Sequence, residues 1–499
     1  MQNTKHFGKI VERKRKCIKR DSLKRLFISF FCLIFLTNSF HSQVTSLDEK
    51  AIENSIDKGI HYLQSVQYQN TDSLKFHFRG EWLATMELEN NFLLLGGKAK
   101  KHEDSNCFTV GTIYNTLARV YLIDSSRNEI LEMLDLSFPR ITSYKINKHY
   151  NFWNLLPPQM QLNTFRPANA QKHVRRPTHF PLTNRFINKA ANIMDDADDT
   201  SIGYTAEYYN SIIHPSDSTL LKSEEIAPIF DRYRDLQRTN RHWYNHSRGF
   251  DKNTGAFLTW FGEEYQFKNW NIFKDMFHNL FHFLPFTQAF PYLEKPYMPF
   301  GSNDLDAVVN ANILQLLSLV DEKSKGSKSS IAYIEGKVLQ QKFDFAAAYY
   351  PNRYSLGYAV SQAYTSGEKG LQKSVDACVQ FIRENQKSDG SWNSRKSIND
   401  SDCIQSTVYA VSTLLQSDIE SVKLHQCEIE RGIHFLLSNA IIENDQIHWE
   451  GGVFFSGGTV VRKSLFWKSD ALTTAMIVEL LVNWQKIEFS KTNRNSNND

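Results

Sequence analysis

Cysteine is scarce in this chain and follows no metal-binding or disulfide pattern. The 499 residues include only six cysteines, and no two of them form a CxxC pair. Two lie near the N-terminus, and the other four are widely separated, at Cys107, Cys378, Cys403 and Cys427. This spacing matches neither a zinc-binding motif nor the cysteine framework of a small disulfide-stabilised domain. We therefore predict no metal site, and the 41% of hydrophobic residues are enough for a large core in one or two domains.

The chain also has little net charge outside its N-terminus. The formal charge is +4, and much of the positive excess lies in the first 25 residues. The remainder is close to neutral and lacks the basic patch of a nucleic-acid-binding domain. We therefore expect no nucleic-acid partner.

Long apolar runs are absent except near the N-terminus, where the basic stretch KRKCIKRDSLKR precedes LFISFFCLIFLTNSF. A charged region followed by an apolar one is typical of a signal peptide, and 15 residues are fewer than the roughly 20 of a membrane-spanning helix. We predict a signal peptide or N-terminal membrane anchor over residues 1–42, with cleavage after Ser39 or Ser42 if it is removed. The protein should then be exported or membrane-associated, with a membrane surface as one partner. Residues 488–499 are polar and predicted to be a disordered tail.

One helical pattern recurs six times between these ends. Each segment continues with small and apolar residues on nearly all faces, which is typical of a buried helix, and five of the six begin with Asp or Asn, which are favoured helix N-caps. The segments start at Asn106, Asp199, Asp306, Tyr354, Asp402 and Asp470.

Amphipathic segments precede several of these buried helices. Examples are IDKGIHYLQSVQ, DACVQFIRENQ and ERGIHFLLSN, each with one apolar stripe. Alternating amphipathic and buried helices must stack to bury their apolar faces. The sequence therefore predicts an all-α fold over residues 46–487, an α/α toroid of about six helix pairs, with no strand system.

The segment FIRENQKSDGSW, from Phe381 to Trp392, resembles the QW motif of triterpene cyclases. Gln386, Gly390 and Trp392 stand in the motif's register. A split copy contains Gln67, Gly80 and Trp82, and a degraded copy has Ala440 in place of Gln and ends at Trp449. We interpret the motif as a clamp at a helix end, in which Gln bonds terminal backbone groups, Gly allows the turn and Trp packs over the next helix.

A second resemblance concerns chemistry. Asp196-Ala197-Asp198-Asp199-Thr200 resembles the DxDDT motif of class II terpene cyclases such as squalene-hopene cyclase. The resemblance implies an α/α toroid over most of residues 50–485 and an apolar, isoprenoid-type substrate. It also implies that Asp198 protonates an alkene or epoxide and that Asp196 and Asp199 tune its acidity. No cofactor is expected, and Mg²⁺ only if the substrate is a diphosphate.

The acidic motif has a simpler interpretation as a helix cap. Aligned on the predicted helix starts, Asp199 corresponds to Asn106 and Asp306, which predicts that Asp199 is the cap of its helix. Asp198 corresponds to Ser105 and Leu305, so capping does not explain its carboxylate. A buried cluster of carboxyls cannot ionise fully, and one member then keeps a proton that it can donate.

Three other functions are considered. Zinc-dependent prenyl transfer is disfavoured, because Asp402 and Cys403 are adjacent and Asp470, not histidine, starts the last helix. A secreted glycan-processing toroid would pair Asp198 with Asp304 or Glu263 as two catalytic carboxylates. A non-catalytic toroid would bind a ligand or partner at a hydrophobic mouth that includes the segments from Trp260 and from Phe277 to Phe300, although these segments are also consistent with a packed insertion.

Overall fold

The structure, a computed structural model, describes residues 47–88, 100–157, 173–179, 191–215, 225–236, 253–262, 303–394, 401–457 and 465–495. The predicted leader, residues 1–42, lies outside this part of the chain, as do Glu263 and the segment 277–300. Within the described ranges, no helix combines the length and apolarity needed to span a bilayer.

Helices dominate the described residues. They are α1 (Glu49–Val66), α2 (Cys107–Ile123), α3 (Asn128–Thr142), α4 (Ala197–Ile213), α5 (Ala227–Asp231), α6 (Ala307–Leu319), α7 (Ser327–Leu339), α8 (Ser355–Thr365), α9 (Gln372–Glu384), α10 (Ser401–Leu415), α11 (Ile419–Leu424), α12 (Gln426–Ser438) and α13 (Asp470–Asn495). A short 3₁₀ turn, Lys369–Leu371, precedes α9.

Six of these helices form a closed ring, called here the inner ring. The contacts run from α2 to α4, α6, α8, α10 and α13, and α13 contacts α2 again. These are the six segments that the sequence predicted to be buried helices. The amphipathic helices pack outside: α1 against α13, α3 against α2 and α4, α7 against α6, α9 against α8 and α10, and α12 against α10. The predicted double ring of helices is therefore present in the described residues.

The segment that resembles the QW motif, Phe381 to Trp392, connects outer helices. Gln386 donates from Nε2 to the carbonyl of Gly390 at 3.0 Å and to that of Glu428 in α12 at 2.8 Å. The Trp392 indole donates to the carbonyl of Ile382 at 2.7 Å, which satisfies a carbonyl in the last turn of α9. Gly390 adopts a φ of 88°, and a Cβ there would lie 2.4 Å from the Arg431 carbonyl oxygen. Trp392 therefore forms a hydrogen bond to the end of α9, and Gln386 links this end to the next outer helix, α12.

The split copy has the same geometry. Gln67 donates to the carbonyls of Gly80 and of Met133 in α3, at 3.2 and 3.0 Å, and Trp82 donates to Leu63 at 2.8 Å. In the degraded copy, the Trp449 indole still bonds the Leu436 carbonyl at 2.7 Å. The Trp contact is thus common to all three copies.

The expectation of an all-α chain without strands is wrong. Described strands are β1 (Ala84–Leu88), β2 (Lys100–Asp104), β3 (Lys145–Ile146), β4 (His149–Tyr150), β5 (Leu155–Leu156), β6 (Val174–Arg175), β7 (Ile441–Glu443), β8 (Gln446–His448), β9 (Val453–Ser456) and β10 (Leu465–Lys468). Four of them form an antiparallel sheet in the order β2-β1-β10-β9, and the others form two-stranded hairpins or pairs.

The four-stranded sheet lies at the N-terminal ends of two inner helices. β2 ends just before α2, and β10 ends just before α13. Its central pairing joins Thr85 to Lys468, residues from opposite ends of the toroid sequence. This pairing forms because closure of the ring brings the first and last repeats together. Local sequence patterns do not predict it, because the two strands are far apart in the chain.

The last helix is longer than the sequence indicated. α13 continues to Asn495 and so includes most of residues 488–499, which were predicted to be a disordered tail. Once a helix exists, each added residue gains one backbone hydrogen bond, so a polar segment can prolong it.

Candidate active site

The acidic motif lies at the N-terminus of α4, and its first aspartate caps the helix. The Asp196 side chain accepts from the Asp199 backbone N–H at 2.8 Å. In the same way, Asn106 caps α2 and Asp306 caps α6. The prediction that Asp199 is the cap is therefore wrong by three residues, because a cap accepts from an N–H two or three residues after it.

The corrected alignment changes the meaning of the other two aspartates. Two residues after the cap, Asp198 corresponds to Phe108 in α2 and to Val308 in α6. Three residues after the cap, Asp199 corresponds to Thr109 and Val309. Capping therefore explains neither carboxyl, and both are particular to α4 among these three helices.

Asp198 is buried between side chains of two other inner-ring segments. Its Oδ2 accepts a short hydrogen bond from the Tyr350 hydroxyl, and its Oδ1 accepts from Asn312 Nδ2 at 2.8 Å. Burial raises the pKa of Asp198 to about 7, and the Tyr350 and Asn312 hydrogen bonds hold it below the value that burial alone would give. Asp198 thus exchanges its proton near neutral pH.

The two neighbouring carboxyls also resist ionisation. Burial and then the charge of Asp198 raise the pKa of Asp196 to about 8. Burial and the nearby Asp196 raise the pKa of Asp199 well above its usual range, and the Cys107 thiol lowers it in part. Oδ1 of Asp199 has no hydrogen-bond partner among the described residues. An ionised carboxylate is costly to bury without such partners, so this environment favours the protonated form. Asp196 and Asp199 therefore hold their protons at neutral pH more firmly than Asp198 does.

A cavity of about 80 Å³ lies on the axis of the inner ring. Side chains from all six inner helices line it, among them Phe108, Arg119, Thr205, Tyr409 and Met476. Tyr350 and Asn312, which bond Asp198, also line it, so Asp198 lies directly behind the cavity wall. The volume holds a few water molecules and is smaller than the roughly 300–1,000 Å³ of typical ligand pockets.

The rings of Phe108 and Tyr350 line the end of the cavity nearest Asp198, and further aromatic rings pack behind them. The Phe108 ring lies 5.8 Å from that of Tyr350 and stacks on Phe454 of β9 at 5.4 Å. Phe455 lies 5.1 Å from Phe152 and 6.0 Å from Tyr350. The faces of such rings stabilise cations, so positive charge that develops beside Asp198 would be accommodated.

The deeper part of the cavity is polar. Arg119 and Glu479 form a bidentate ion pair, with Nε–Oε1 at 2.5 Å and a second N–O contact at 3.0 Å. Asn115 Oδ1 and Gln315 Nε2 are buried and have no hydrogen-bond partner among the described residues. An acceptor and a donor without partners are expensive to bury and fit a bound polar group or water.

The other sequence candidates are more dispersed. Asp304 accepts from the Tyr349 hydroxyl at 2.9 Å and Trp260 donates to the same hydroxyl at 3.0 Å, so both are packed into the core. Trp260 is only 7% exposed and forms no open mouth. Glu263 and the segment 277–300 lie outside the described residues.

Sequence reasoning missed Tyr350 and Asn312, the two residues that bond Asp198. Asn312 carried a weak signal, since it is one of three polar residues, with Asn310 and Gln315, in the mostly apolar stretch AVVNANILQLL. Tyr350 lies in the segment before α8 and had no pattern that could single it out.

No family model matches the chain, and no curated protein matches it in sequence. Among solved structures, it is similar to the type II terpene cyclase MstE from Scytonema, with 11% identity, a TM-score of 0.47, and coverage of 88% of this chain and 99% of the other. A complex of an MstE variant with its substrate, geranylgeranyl dihydroxybenzoate, gives a TM-score of 0.48 at 11% identity and covers 88% and 98% of the two chains.

A possible member of the GH105 family from Klebsiella pneumoniae is also similar, with 9% identity, a TM-score of 0.46, and coverage of 89% of this chain and 94% of the other. Identities at this level leave the role of each residue to be decided by its own geometry.

Proposed function

We propose that this protein is a class II terpene cyclase-like enzyme, of the isomerase or lyase type, that cyclises an isoprenoid by protonation. The proposed general acid is Asp198, with Asp196 and Asp199 as neighbouring carboxyls that tune its acidity. The observation that carries the proposal is the buried Asp198 carboxyl, with its pKa raised to about 7, against a cavity with aromatic walls.

The chemistry requires one proton and no cofactor. The Asp198 O–H bond breaks, and the π electrons of a terminal alkene form the new C–H bond and leave a tertiary carbocation. The next alkene attacks this cation, and loss of a proton to a base ends the sequence. Tyr350 and Asn312 stabilise the Asp198 carboxylate that the first step produces, while burial keeps the acid protonated beforehand.

The size and lining of the cavity restrict how a substrate could bind. An isoprenoid chain needs several hundred Å³, so we expect binding to move side chains at the aromatic end, such as Phe108 and Phe454. The unpartnered Asn115 and Gln315 atoms at the other end fit a hydroxyl or carbonyl group. A linear isoprenoid with a polar head group is therefore the substrate class that we propose.

The proposal is tested by incubating the full-length protein, in detergent or vesicles, with linear isoprenoids that do and do not carry polar head groups, and analysing products by mass spectrometry. Asp198→Asn should abolish cyclisation, because the amide has no acidic proton. Asp418→Asn, a change at an exposed helix cap far along the chain, is the matched control and should retain full activity. Full activity of the Asp198→Asn protein would contradict the proposal.

We also propose that the protein is exported or bound at a membrane surface through residues 1–42, where an apolar substrate would be available. Fractionation of cells that express the full-length chain tests this. Recovery of the intact chain in the soluble cytoplasmic fraction would contradict it.

The polar part of the cavity favours a second candidate, binding or processing of a hydroxyl-rich ligand such as a glycan. The unpartnered amide atoms of Asn115 and Gln315 are the observation in its favour. Oligosaccharide binding that is lost in Asn115→Leu, without turnover of any isoprenoid, would favour this candidate over cyclisation.

A further inference from the structure

Two histidines and a glutamate from three separate segments meet on the surface, away from the cavity. His77 ends the turn that begins at Asp72, Glu103 lies in β2, and His179 lies after β6. One potential ligand atom from each side chain lies within 4.8 Å of the other two, and His77 Nε2 is 3.2 Å from Glu103 Oε2. We propose that His77, Glu103 and His179 bind one divalent transition-metal ion, with zinc as the expected ion.

The donor set fits zinc. Two imidazole nitrogens and one carboxylate oxygen are common zinc ligands, and a water molecule would fill the fourth position. Tetrahedral ligands at about 2.0–2.1 Å from zinc lie roughly 3.3 Å from one another. The contact between His77 and Glu103 already has this spacing, and bringing the three ligand atoms together from within 4.8 Å requires movements of up to about 1.5 Å. Glu103 can make such a movement, because its side chain is 58% exposed.

Both ring nitrogens of His179 lie near backbone carbonyl oxygens. Its Nε2 lies 2.6 Å from the Lys75 carbonyl oxygen, and its Nδ1 lies 3.1 Å from the Glu103 carbonyl oxygen. A neutral imidazole has only one N–H, so one of these nitrogens presents a lone pair. The proposed site places the N–H on Nε2, which makes the shorter contact, so that Nδ1 is the ligand atom and turns from the Glu103 carbonyl to the ion when it binds. A hydrogen bond from one ring nitrogen to a backbone carbonyl fixes the ring while the other nitrogen binds the metal.

Two of the ligands are held in place by contacts that do not depend on an ion. The His77 ring packs against Tyr68 at 4.5 Å. Next to His179, the Thr178 backbone N–H donates to Asp104 Oδ1 at 3.3 Å. A site whose ligands are positioned beforehand loses less entropy when the ion binds. A bound ion would fasten the insertion of the split QW motif, between Gln67 and Gly80, to the edge of the sheet.

The direct test is calorimetric titration of zinc into the full-length protein, purified without a histidine tag and treated with chelator. We expect saturable binding of one ion per chain. Glu103→Gln and His179→Ala should each weaken binding by at least about tenfold, because each removes one of three protein ligands. His214→Ala is the matched control: His214 also contacts a carboxylate, Asp135 Oδ1 at 2.7 Å, but belongs to no three-residue cluster of potential ligands within the described part of the chain, so binding should be unchanged.

Cobalt provides a second measurement on the same proteins. Co²⁺ in a low-coordinate nitrogen and oxygen site should give visible absorption bands in the wild-type and His214→Ala proteins, and at a Co²⁺ concentration that just saturates the wild type these bands should be much weaker in the Glu103→Gln protein. Zinc should likewise raise the melting temperature of the wild-type and His214→Ala proteins and leave that of the Glu103→Gln protein nearly unchanged. Equal zinc affinity in wild type and Glu103→Gln, or binding without saturation, would overturn the proposal. Because Glu103 is exposed, its substitution should leave the fold intact, and circular dichroism checks this.

Discussion

Replacing Asp198 by asparagine should stabilise the protein at neutral and alkaline pH. In the unfolded chain the carboxyl titrates near 3.8, whereas burial raises the pKa of Asp198 in the folded protein to about 7. Between these values the folded state binds more protons than the unfolded state, so the free energy of unfolding falls as pH rises. Asparagine does not ionise and removes this loss.

The magnitude follows from the size of the shift. Each pH unit inside the window costs about 1.4 kcal/mol, so the advantage of Asp198→Asn should grow by about 2–3 kcal/mol between pH 5 and pH 7. Above pH 7 it should level off, because both states are then ionised. Asparagine can keep the hydrogen bond from Tyr350, and the Asn312 amide can reverse to accept from the new N–H. The variant should therefore match the wild type to within about 1 kcal/mol near pH 4.

The assay is urea unfolding of both proteins at half-unit steps from pH 4 to pH 9, monitored by tryptophan fluorescence. Asp418→Asn is the control with the opposite sign, since hydrogen bonds from the backbone of Ser421 lower the pKa of Asp418. The free energy of unfolding of Asp418→Asn, relative to that of the wild type, should not increase as pH rises. A difference between Asp198→Asn and wild type that stays flat from pH 5 to pH 8, or falls, would refute the description of Asp198 as a buried acid that retains its proton.

Three further changes test other parts of the structure. Tyr350→Phe removes a donor to the Asp198 carboxylate and should move the pH window upward by about one unit, measured by the same titration or as a shift in the pH profile of cyclisation. Gly390→Ala places a Cβ against the Arg431 carbonyl oxygen at a φ of 88° and should lower the free energy of unfolding by more than about 1 kcal/mol, whereas Gly336→Ala, with open space around it, should not. Glu479→Gln leaves Arg119 buried without its charge partner and should lower the free energy of unfolding by about 3–5 kcal/mol. Equal stability of this variant and the wild type would show that the ion pair is solvated.

Parts of the candidate site were predictable because they follow from local chemistry. The three carboxyls of Asp196, Asp198 and Asp199 are adjacent in sequence, so their mutual effect on ionisation could be anticipated. The identity of the helix cap could not be predicted from local chemistry. Asp196 and Asp199 are both favoured N-cap residues, and only the position of the first helical turn decides between them. The hydrogen-bond partners Tyr350 and Asn312 lie far along the chain and meet Asp198 only when the ring closes.

Local sequence was enough to predict the six buried helices, three of the outer helices (α1, α9 and α12) and the turns of the segments that resemble the QW motif. Each follows from side chains within about a dozen residues of one another, through helical periodicity, capping and the backbone freedom of Gly80 and Gly390. Tertiary structure alone decided what lies far apart in sequence: the sheet that joins β1 to β10, the cavity on the ring axis, and the meeting of His77, Glu103 and His179. These contacts depend on closure of the ring and on the strand register that it imposes, and no local pattern encodes either.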